Sequence, residues 1–540
     1  MQSPGINERR MPLSEIISYI CTINQKTIVV MRHRLLFIMM LALASSISAM
    51  AQKYEVDGIY YTTSLDAVSA MQVTQGPNGA GTYSGNVVVP ERVTIEGHSY
   101  QVAAIDNGAF AGCSNLTNVT LPNTIKRIGG SAFSGCTNLN NFTIPDGVKT
   151  IGNSAFNGCS NKMTAMVIPN SVTSIGFGVF RGCSNLKSVT LPEGMTTIGY
   201  YFFQNCAKLE SIVLPSSITN IGQMVFSGCT SLTHVELSDK VTNIDYQAFY
   251  NCQKLESITI PDATTHIGED AFRNCYSLQD LTLGNGLQDI SYRSFEECRS
   301  LQSLTIPSTV QFISSYAFAK CTGLKEVVFE GGQPISMGYC IFTNCSSLTT
   351  VTIKGGVTEV PRLAFNWCTS LTTVNLGDSI KAIREQAFKS CSSLTSIVLP
   401  DSLRIIENEA FKDCSAMTSV VCKAMTPPDF DQDPAFPYSA ATLYVPYQSL
   451  EAYLSHEGWQ KFYQIEGVDF SIPGDVNGDG EVNIADANSV IVIIINGGSS
   501  GHGHVPGGSD IDWSKTADVN GDGEINIADI NAVIDMILKN

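Results

Sequence analysis

The sequence predicts a repeat solenoid, a curved stack of short parallel strands, followed by a small all-α module. Three observations predict it. Cysteines recur at a near-constant interval from Cys113 to Cys414. Charged residues make up only 15% of the 540 residues while Gly, Ser, Thr and Asn are plentiful, a composition that suits short strands and turns better than long surface helices. An acidic, glycine-containing segment near the C-terminus occurs twice.

A chain of this length is too long for one ordinary core, so it divides into domains or stacks repeats. A net charge of -17 argues against a phosphate-binding surface, because nucleic-acid affinity comes largely from clustered Lys and Arg. Residues 1–30 read as a mis-assigned upstream extension ahead of a true start at Met31, the alternative being a long cytoplasmic extension. Residues 31–51 read as a secretory signal peptide: Arg32, His33 and Arg34 are basic, Leu35 to Ala44 are apolar, and Ala49-Met50-Ala51 offers a cleavage site after Ala51. No Cys follows the small residues, which argues against a lipoprotein anchor. No later segment reaches the ~18 consecutive apolar residues of a membrane helix. The expected product is secreted or held at the cell surface.

Residues 52–107 are expected to form an N-terminal cap, with strand-like stretches at Gly58 to Thr62 and Val87 to Pro90 and a turn at Glu96-Gly97.

Residues 108–424 carry the repeat. Cys113, Cys136, Cys159, Cys183, Cys206, Cys229, Cys252, Cys275, Cys298, Cys321, Cys345, Cys368, Cys391 and Cys414 follow one another at 23 residues, twice at 24, which defines fourteen units. An aromatic stands three places before each Cys, as at Phe110, Phe133, Phe180, Phe226, Phe272 and Phe411, and Leu usually stands three places after it. Each unit then alternates like a strand. Val119 and Leu121, Val189 and Leu191, Ile258 and Ile260, and Leu304 and Ile306 are placed inward. Pro often ends the strand, and a second apolar column of Ile128, Ile151, Ile198, Ile244, Ile290 and Ile383 lines the return side. Stacked at the ~4.8 Å spacing of parallel strands, the units would make a curved rod roughly 65 to 70 Å long that presents a surface rather than a pocket.

The pattern A-F-x-x-C-x-x-L-x-x-V-x-L-P, as in Ala109-Phe110 through Pro122, resembles the BspA-like leucine-rich repeats of bacterial surface proteins over about residues 100 to 424. The Met163 unit carries an insertion and the Met337 region departs from the Ile column. The resemblance implies a leucine-rich-repeat curved stack used for adhesion or protein binding, and it implies no chemistry.

Repeated cysteines in an exported protein would ordinarily suggest disulfides. Equivalent residues of an in-register stack sit ~4.8 Å apart with parallel side chains, whereas a disulfide needs β-carbons nearer ~3.8 Å and aimed at each other. Reduced, buried thiols are therefore expected. A nucleophile or metal site would need a His or carboxylate that repeats with the Cys, and none does. Cys340 and Cys422 lie off the column and are left unassigned.

The outward strand positions form two rows. Thr120, Thr143, Thr190, Val213, Glu236, Thr259, Thr282, Thr305, Thr352 and Val398 make one; Asn118, Asn141, Ser188, Ser211, His234, Ser257, Asp280, Ser303, Glu326, Thr350 and Ser396 make the other. Such hydroxyls can bind glycans or another protein's backbone, but β-branched Thr is also what an exposed strand prefers for itself. Glu236, His234 and Asp280 are the only charged cluster among them and do not amount to a site.

Residues 425–473 are expected to be a C-terminal cap and linker, with a strand from Ala441 to Val445 and a helix-like stretch whose Tyr453, Trp459 and Phe462 belong to the core. Glycan stacking on Trp367, Trp459 or Trp513 is the less favoured use of these rings.

In residues 474–540, Gly474-Asp475-Val476-Asn477-Gly478-Asp479-Gly480-Glu481 returns 43 residues later around Asp518-Val519-Asn520-Gly521-Asp522-Gly523-Glu524. Oxygen donors at loop positions 1, 3, 5, 7 and 12, with Gly at position 6, are what a Ca²⁺ ion of six to eight coordination needs. Asp475, Asn477, Asp479 and Asp486 would supply side chains and Glu481 its carbonyl. Asp518, Asn520, Asp522, Asp529 and the carbonyl of Glu524 would do the same for a second Ca²⁺. Position 12 is Asp, and no helix precedes either loop. These features resemble the dockerin type I module, which implies a calcium-dependent cohesin-like partner. Ile484-Ala485 and Ile527-Ala528 replace the Ser and Thr pairs of many such modules, and Gly497 to Thr516 makes a long connection, so the implied partner is a divergent cohesin or none. His502 and His504 within it read as linker rather than metal ligands. With so many carboxylates in each loop, the module is expected to fold as calcium binds.

Together these readings describe an exported, non-enzymatic binding or adhesion protein. Its solenoid would present a protein- or glycan-binding surface and its dockerin would tether it. The alternatives are an accessory component of a polysaccharide-degrading complex, or a structural spacer. A glycoside hydrolase would need two carboxylates ~5 to 9.5 Å apart in a cleft, and no segment of domain size remains to house one.

Overall fold

The structure, a computed structural model, describes residues 52–64, 70–77, 79–140, 142–468, 470, 502–503, 511–512, 519 and 529–534. The chain divides into two compact units, Met1–Ser238 and Asp239–Asn540. Each is a stack of turns in which a three- to five-residue strand and a two-residue strand recur, so each unit is a β-solenoid.

In the first unit, Tyr54–Val56 and Ile59–Thr63 form a hairpin, as do Arg92–Ile95 and His98–Ile105. Their two-residue turns, Asp57-Gly58 and Glu96-Gly97, have all four φ angles positive, the geometry whose twist matches paired antiparallel strands. Ala70–Val73 then pairs parallel with His98–Ile105 and starts the stack. The expected strands at Gly58 to Thr62 and Val87 to Pro90 are observed as Ile59–Thr63 and Gly85–Val88. From there Arg127–Ile128, Thr150–Ile151 and Ser174–Ile175 continue one column in register, and Thr197–Ile198 pairs with Asn220–Ile221.

In the second unit the short column runs Asn243–Ile244, His266–Ile267, Asp289–Ile290, Phe312–Ile313, Ser336–Met337. Met337 sits opposite Ile313, so the break in the Ile column changes the residue and not the rung. The longer strands Ser303–Ile306, Glu326–Phe329, Thr350–Ile353 and Thr373–Asn375 pair parallel, with Leu304, Val327, Val351 and Val374 in one inward row. Parallel pairing does not stop at Cys414. It continues through Ser419–Cys422, Thr442–Pro446 and Gln464–Val468.

The inward residues are buried as their alternation predicts, Leu121 alone among those named being only half-buried. The aromatics before the cysteines stack face to face: Phe110 on Phe133 at 5.0 Å in the first unit, and Phe272 on Phe295 at 5.0 Å in the second. Tyr83 covers the start of the first unit's row, 4.8 Å from Phe110, with its hydroxyl donating to the carbonyl of Thr74. Phe436 closes the end of the second unit's row, 4.5 Å from Phe411, and Trp459 and Phe462 pack on it in turn. Tyr453, Trp459 and Phe462 are buried, and the Trp459 indole donates to Pro428 O at 2.9 Å.

Every ladder cysteine described is free and buried. Two residues of each unit, five places and one place before the Cys, hold positive φ, as at Ser131 and Gly135 or at Gln247 and Asn251. Between the first pair, the amides of Ser131, Phe133 and Gly135 donate to Asn153, Ala155 and Asn157 of the next turn. Cys340 occupies the first of these left-handed positions, with φ 58°, which explains why it lies off the column. Cys422 is an inward strand residue in register with Leu399, and the Tyr453 hydroxyl donates to its sulfur at 3.1 Å.

Candidate functional site

The outward strand rows are mostly exposed in both units, with Asn118, Ser257 and Thr350 half-buried. In the first, Ser188 and Thr190 flank buried Val189, and Ser211 and Val213 flank Ile212. Val213 is 84% exposed, an apolar residue left fully in water by its place in the row. In the second, Thr282, Thr305 and Glu326 face outward in the same way, whereas Thr352 is half-buried. Asn141 lies outside the described residues.

One stretch of this face is recessed. Asn118 and Thr120 from Leu116–Thr120, together with Asn86, Asn138, Asn140 and Thr143, line a depression of about 630 Å³. Phe142 stands at the inward position that Val119 and Met166 hold in the adjacent units, and its ring packs between Phe133 and Phe156 at 4.8 and 5.1 Å. Amides and hydroxyls dominate the lining, which equips it to exchange neutral hydrogen bonds. Some are already engaged: Thr117 Oγ1 donates to Asn86 Oδ1 at 3.0 Å and Asn138 Nδ2 to Ser114 O at 2.8 Å.

His234 and Glu236 are exposed on one strand of the first unit, and Asp280 is exposed on a strand of the second. The dense charge of the second unit lies elsewhere. Glu296 is buried and meets Arg273 at 2.9 Å, Lys320 at 3.1 Å and Arg293 at 3.5 Å. Glu297 adds contacts to Arg299 at 2.6 Å and Lys320 at 3.2 Å, and those cations hold its carboxyl below the usual range against the opposing effect of burial. Each base here is paired with Glu296 or Glu297, so the cluster ties neighbouring turns together. Sequence reasoning missed it because its members are scattered over adjacent repeats; the available signal was the recurrence of Arg273 and Glu296 at one repeat position.

Burial pushes the ladder thiols up, Cys275 and Cys345 to about 12. They are the reverse of activated nucleophiles, which need a stabilised thiolate. Among the described residues no group of three or more His, Cys, Asp or Glu is placed to hold a metal. Of the ten expected calcium ligands, Asp475, Asn477, Asp479, Glu481, Asp486, Asp518, Asn520, Asp522 and Glu524 lie outside the described residues. Asp529 is described and fully buried, in helical residues 529–534, whose Val533 is buried as well. His502–Gly503, in the long connection, pairs antiparallel with Ile511–Asp512. Trp513, like His504, lies outside the described residues, and Trp367 is exposed. Among the described residues no helix is long and apolar enough to cross a membrane.

Residues 103–230, 160–278, 196–325, 242–358 and 324–427 match the family model of the BspA type leucine rich repeat region (6 copies), and residues 473–538 match that of the dockerin type I domain. No curated protein matches the chain. Among solved structures, a leucine-rich repeat protein from Bacteroides ovatus is 25% identical, with 77% of this chain and all of that one covered and a TM-score of 0.47. A leucine rich cell surface protein from Faecalibacterium prausnitzii is 26% identical, covering 71% and 95%, TM-score 0.39. A leucine rich repeat protein of T. pallidum is 28% identical, covering 42% and 91%, TM-score 0.32.

Proposed function

Because the chain belongs to the BspA-type leucine-rich-repeat family, with a dockerin type I domain at its C-terminus, we propose that it is an exported, non-enzymatic binding and adhesion protein. Its solenoid presents the ligand surface, and its dockerin tethers it through calcium to a cohesin-like domain. The observation that carries this reading is the strand face itself: outward polar residues held in register over buried aliphatic rows, recessed where Asn118, Thr120, Asn138 and Asn140 converge. A surface of this kind gains affinity by complementarity over many rungs rather than by chemistry at one.

The ten calcium donors are all oxygens, eight of them from Asp and Asn side chains at positions 1, 3, 5 and 12 of the two loops, which fits a hard cation of high coordination number. When bound, calcium would supply charge neutralisation and fold the two halves together. A secretory signal at residues 31–51 delivers the chain, and the mature protein acts outside the cytoplasm.

The test is calorimetric titration of the full-length protein with Ca²⁺, with helix content followed by circular dichroism, then capture on a cohesin domain in calcium and in excess chelator. Two bound ions, a gain of helix and chelator-sensitive capture are expected. Absence of calcium binding, or capture that survives the chelator, removes the tethering role. Membership of a polysaccharide-degrading assembly is the second reading, favoured by the dockerin match alone.

A further inference from the structure

In the second unit the short-strand column carries an aromatic surface that the fold does not require. Asp289, Phe312 and Ser336 stand in register on adjacent parallel rungs. Other rungs of this unit place Asn243, His266, Glu359 and Ala382 at the same position, so nothing in the repeat calls for a ring there. Phe312 is 53% exposed.

Three tyrosines follow these strands at the turns. Tyr292 and Tyr316 meet edge to face at 6.0 Å, and Tyr316 and Tyr339 at 5.4 Å. The Arg293 guanidinium lies 4.7 Å from the Tyr292 ring centre and 5.6 Å from that of Tyr316. Each ring is thus braced by its neighbour, which limits the side-chain freedom a ligand would have to quench. Tyr339, at the end of the row, is 49% exposed. Beside Phe312 lies a depression of about 480 Å³ lined by Gln288, Asp289, Ser291, Gln311 and Ser314.

The polar lining selects the ligand class. Asp289 is its one charged group, and that carboxylate is already paired with His266 at 2.5 Å and accepts from Ser291 Oγ at 3.4 Å. Arg293 is directed toward Glu296. No free charge faces the depression, which disfavours an ionic ligand. An exposed Phe312 flanked by primary amides and hydroxyls, with exposed Tyr339 following the adjacent rung, matches a molecule that is apolar on its faces and hydroxylated at its edges. A pyranose has that character: its axial C–H bonds stack on an aromatic face while its equatorial hydroxyls exchange hydrogen bonds with Gln and Ser. Successive rungs advance by ~4.8 Å, close to the length of one sugar ring, so an extended chain can meet one rung per residue.

We propose that Phe312, Tyr339, Gln288 and Gln311 form a binding site for a neutral polysaccharide, the rings stacking on pyranose faces and the amides hydrogen-bonding the ring hydroxyls. The site lies on the short-strand column, apart from the outward rows of the longer strands. It rests on the reading above only in treating the solenoid as the ligand-binding part of the chain.

Affinity electrophoresis of the full-length protein in gels containing xyloglucan, mixed-linkage β-glucan or galactomannan tests it, with polygalacturonate as the charged control and a gel without polysaccharide as reference. Retardation by at least one neutral polymer is expected, with affinity reduced about tenfold or more in Phe312→Ser/Tyr339→Ser, an effect of the size that loss of two aromatic contacts produces. Ser already occupies the equivalent positions at Ser336 and Ser315, so both changes suit the local backbone, and an unaltered circular dichroism spectrum confirms that the variant is folded. Retardation should persist in chelator, which separates this site from the calcium module. No retardation in any neutral gel, or retardation unchanged in the double variant, overturns the proposal. Calcium-dependent capture by a cohesin would still stand in that case, so the two readings fail separately.

Discussion

The thiol of Cys136 lies 3.0 Å from the carbonyl oxygen of Phe110, one turn back in the stack, and donates to it. The same carbonyl also accepts from the amide of Cys113 at 3.2 Å. Cys159 and Phe133, Cys275 and Phe249, and Cys414 and Phe388 repeat the arrangement at 3.2, 3.3 and 3.2 Å. The cysteine column is therefore a hydrogen-bonded ladder between turns: small enough for the core, with a donor aimed along the stack. This is why Cys recurs where Ala or Val would fill the volume but leave the second lone pair of a buried carbonyl without a donor.

Replacement of one rung tests that reading. Cys275→Ala should lower stability by about 1–3 kcal/mol, since it removes a donor and opens a small void, whereas Cys275→Ser, which keeps a donor, should lose less. Denaturant midpoints of the three proteins decide it; equal losses for Ala and Ser would mean that volume alone matters.

Burial raises the thiols, with Cys136, Cys275, Cys345 and Cys414 at about 12 and Cys422 at about 11. A folded-state value above that of the unfolded chain favours the neutral thiol in the fold. The resulting stability is fully present below the unfolded thiol value of about 8.5 and is lost as pH rises from there toward 12. Unfolding midpoints measured at pH 7, 9 and 10.5 should fall over the last interval, and alkylating reagents at pH 8 should leave the ladder unmodified until denaturant is added. A midpoint that stays level to pH 10.5 contradicts this account.

Glu296→Gln should destabilise the second unit by about 2 kcal/mol. Breaking a fully buried ion pair costs about 3–5 kcal/mol, and the figure is reduced here because Arg273, Arg293 and Lys320 keep partial access to water. High salt should barely change the loss if the carboxylate is screened from solvent as its burial indicates. An unaltered midpoint would show that the cluster is surface decoration.

Trp367 occupies the left-handed position before Cys368, with φ 61°, and is 52% exposed. Asn205, Asn251, Asn274 and Asn344 stand at the equivalent place in other turns. Holding a bulky residue there costs roughly 1–2 kcal/mol, which Asn largely avoids. Trp367→Asn is expected to raise stability by about 1 kcal/mol, read from the denaturation midpoint, and a fall would mean that the indole makes contacts worth more than the strain.

The sequence by itself determined the repeat, its inward rows and the duplication of an acidic loop, because each of those signals is local and is written more than once. Phe three places before Cys and Leu three places after it recur in unit after unit, and Asp518-Val519-Asn520-Gly521-Asp522-Gly523 repeats Asp475 to Gly480. Tertiary structure alone decided what lies across from what. Arg273 meets Glu296, Phe312 stands beside Asp289, and Tyr316 bridges Tyr292 and Tyr339 only because turns separated by 23 or 24 residues are laid side by side. Past Cys414 the sequence signal fades while the pairing persists, since Cys422 takes the place of Leu399 and Phe436 that of the next stacked ring. Parallel pairing needs only a backbone and an inward apolar side chain, and those conditions outlast any recognisable motif.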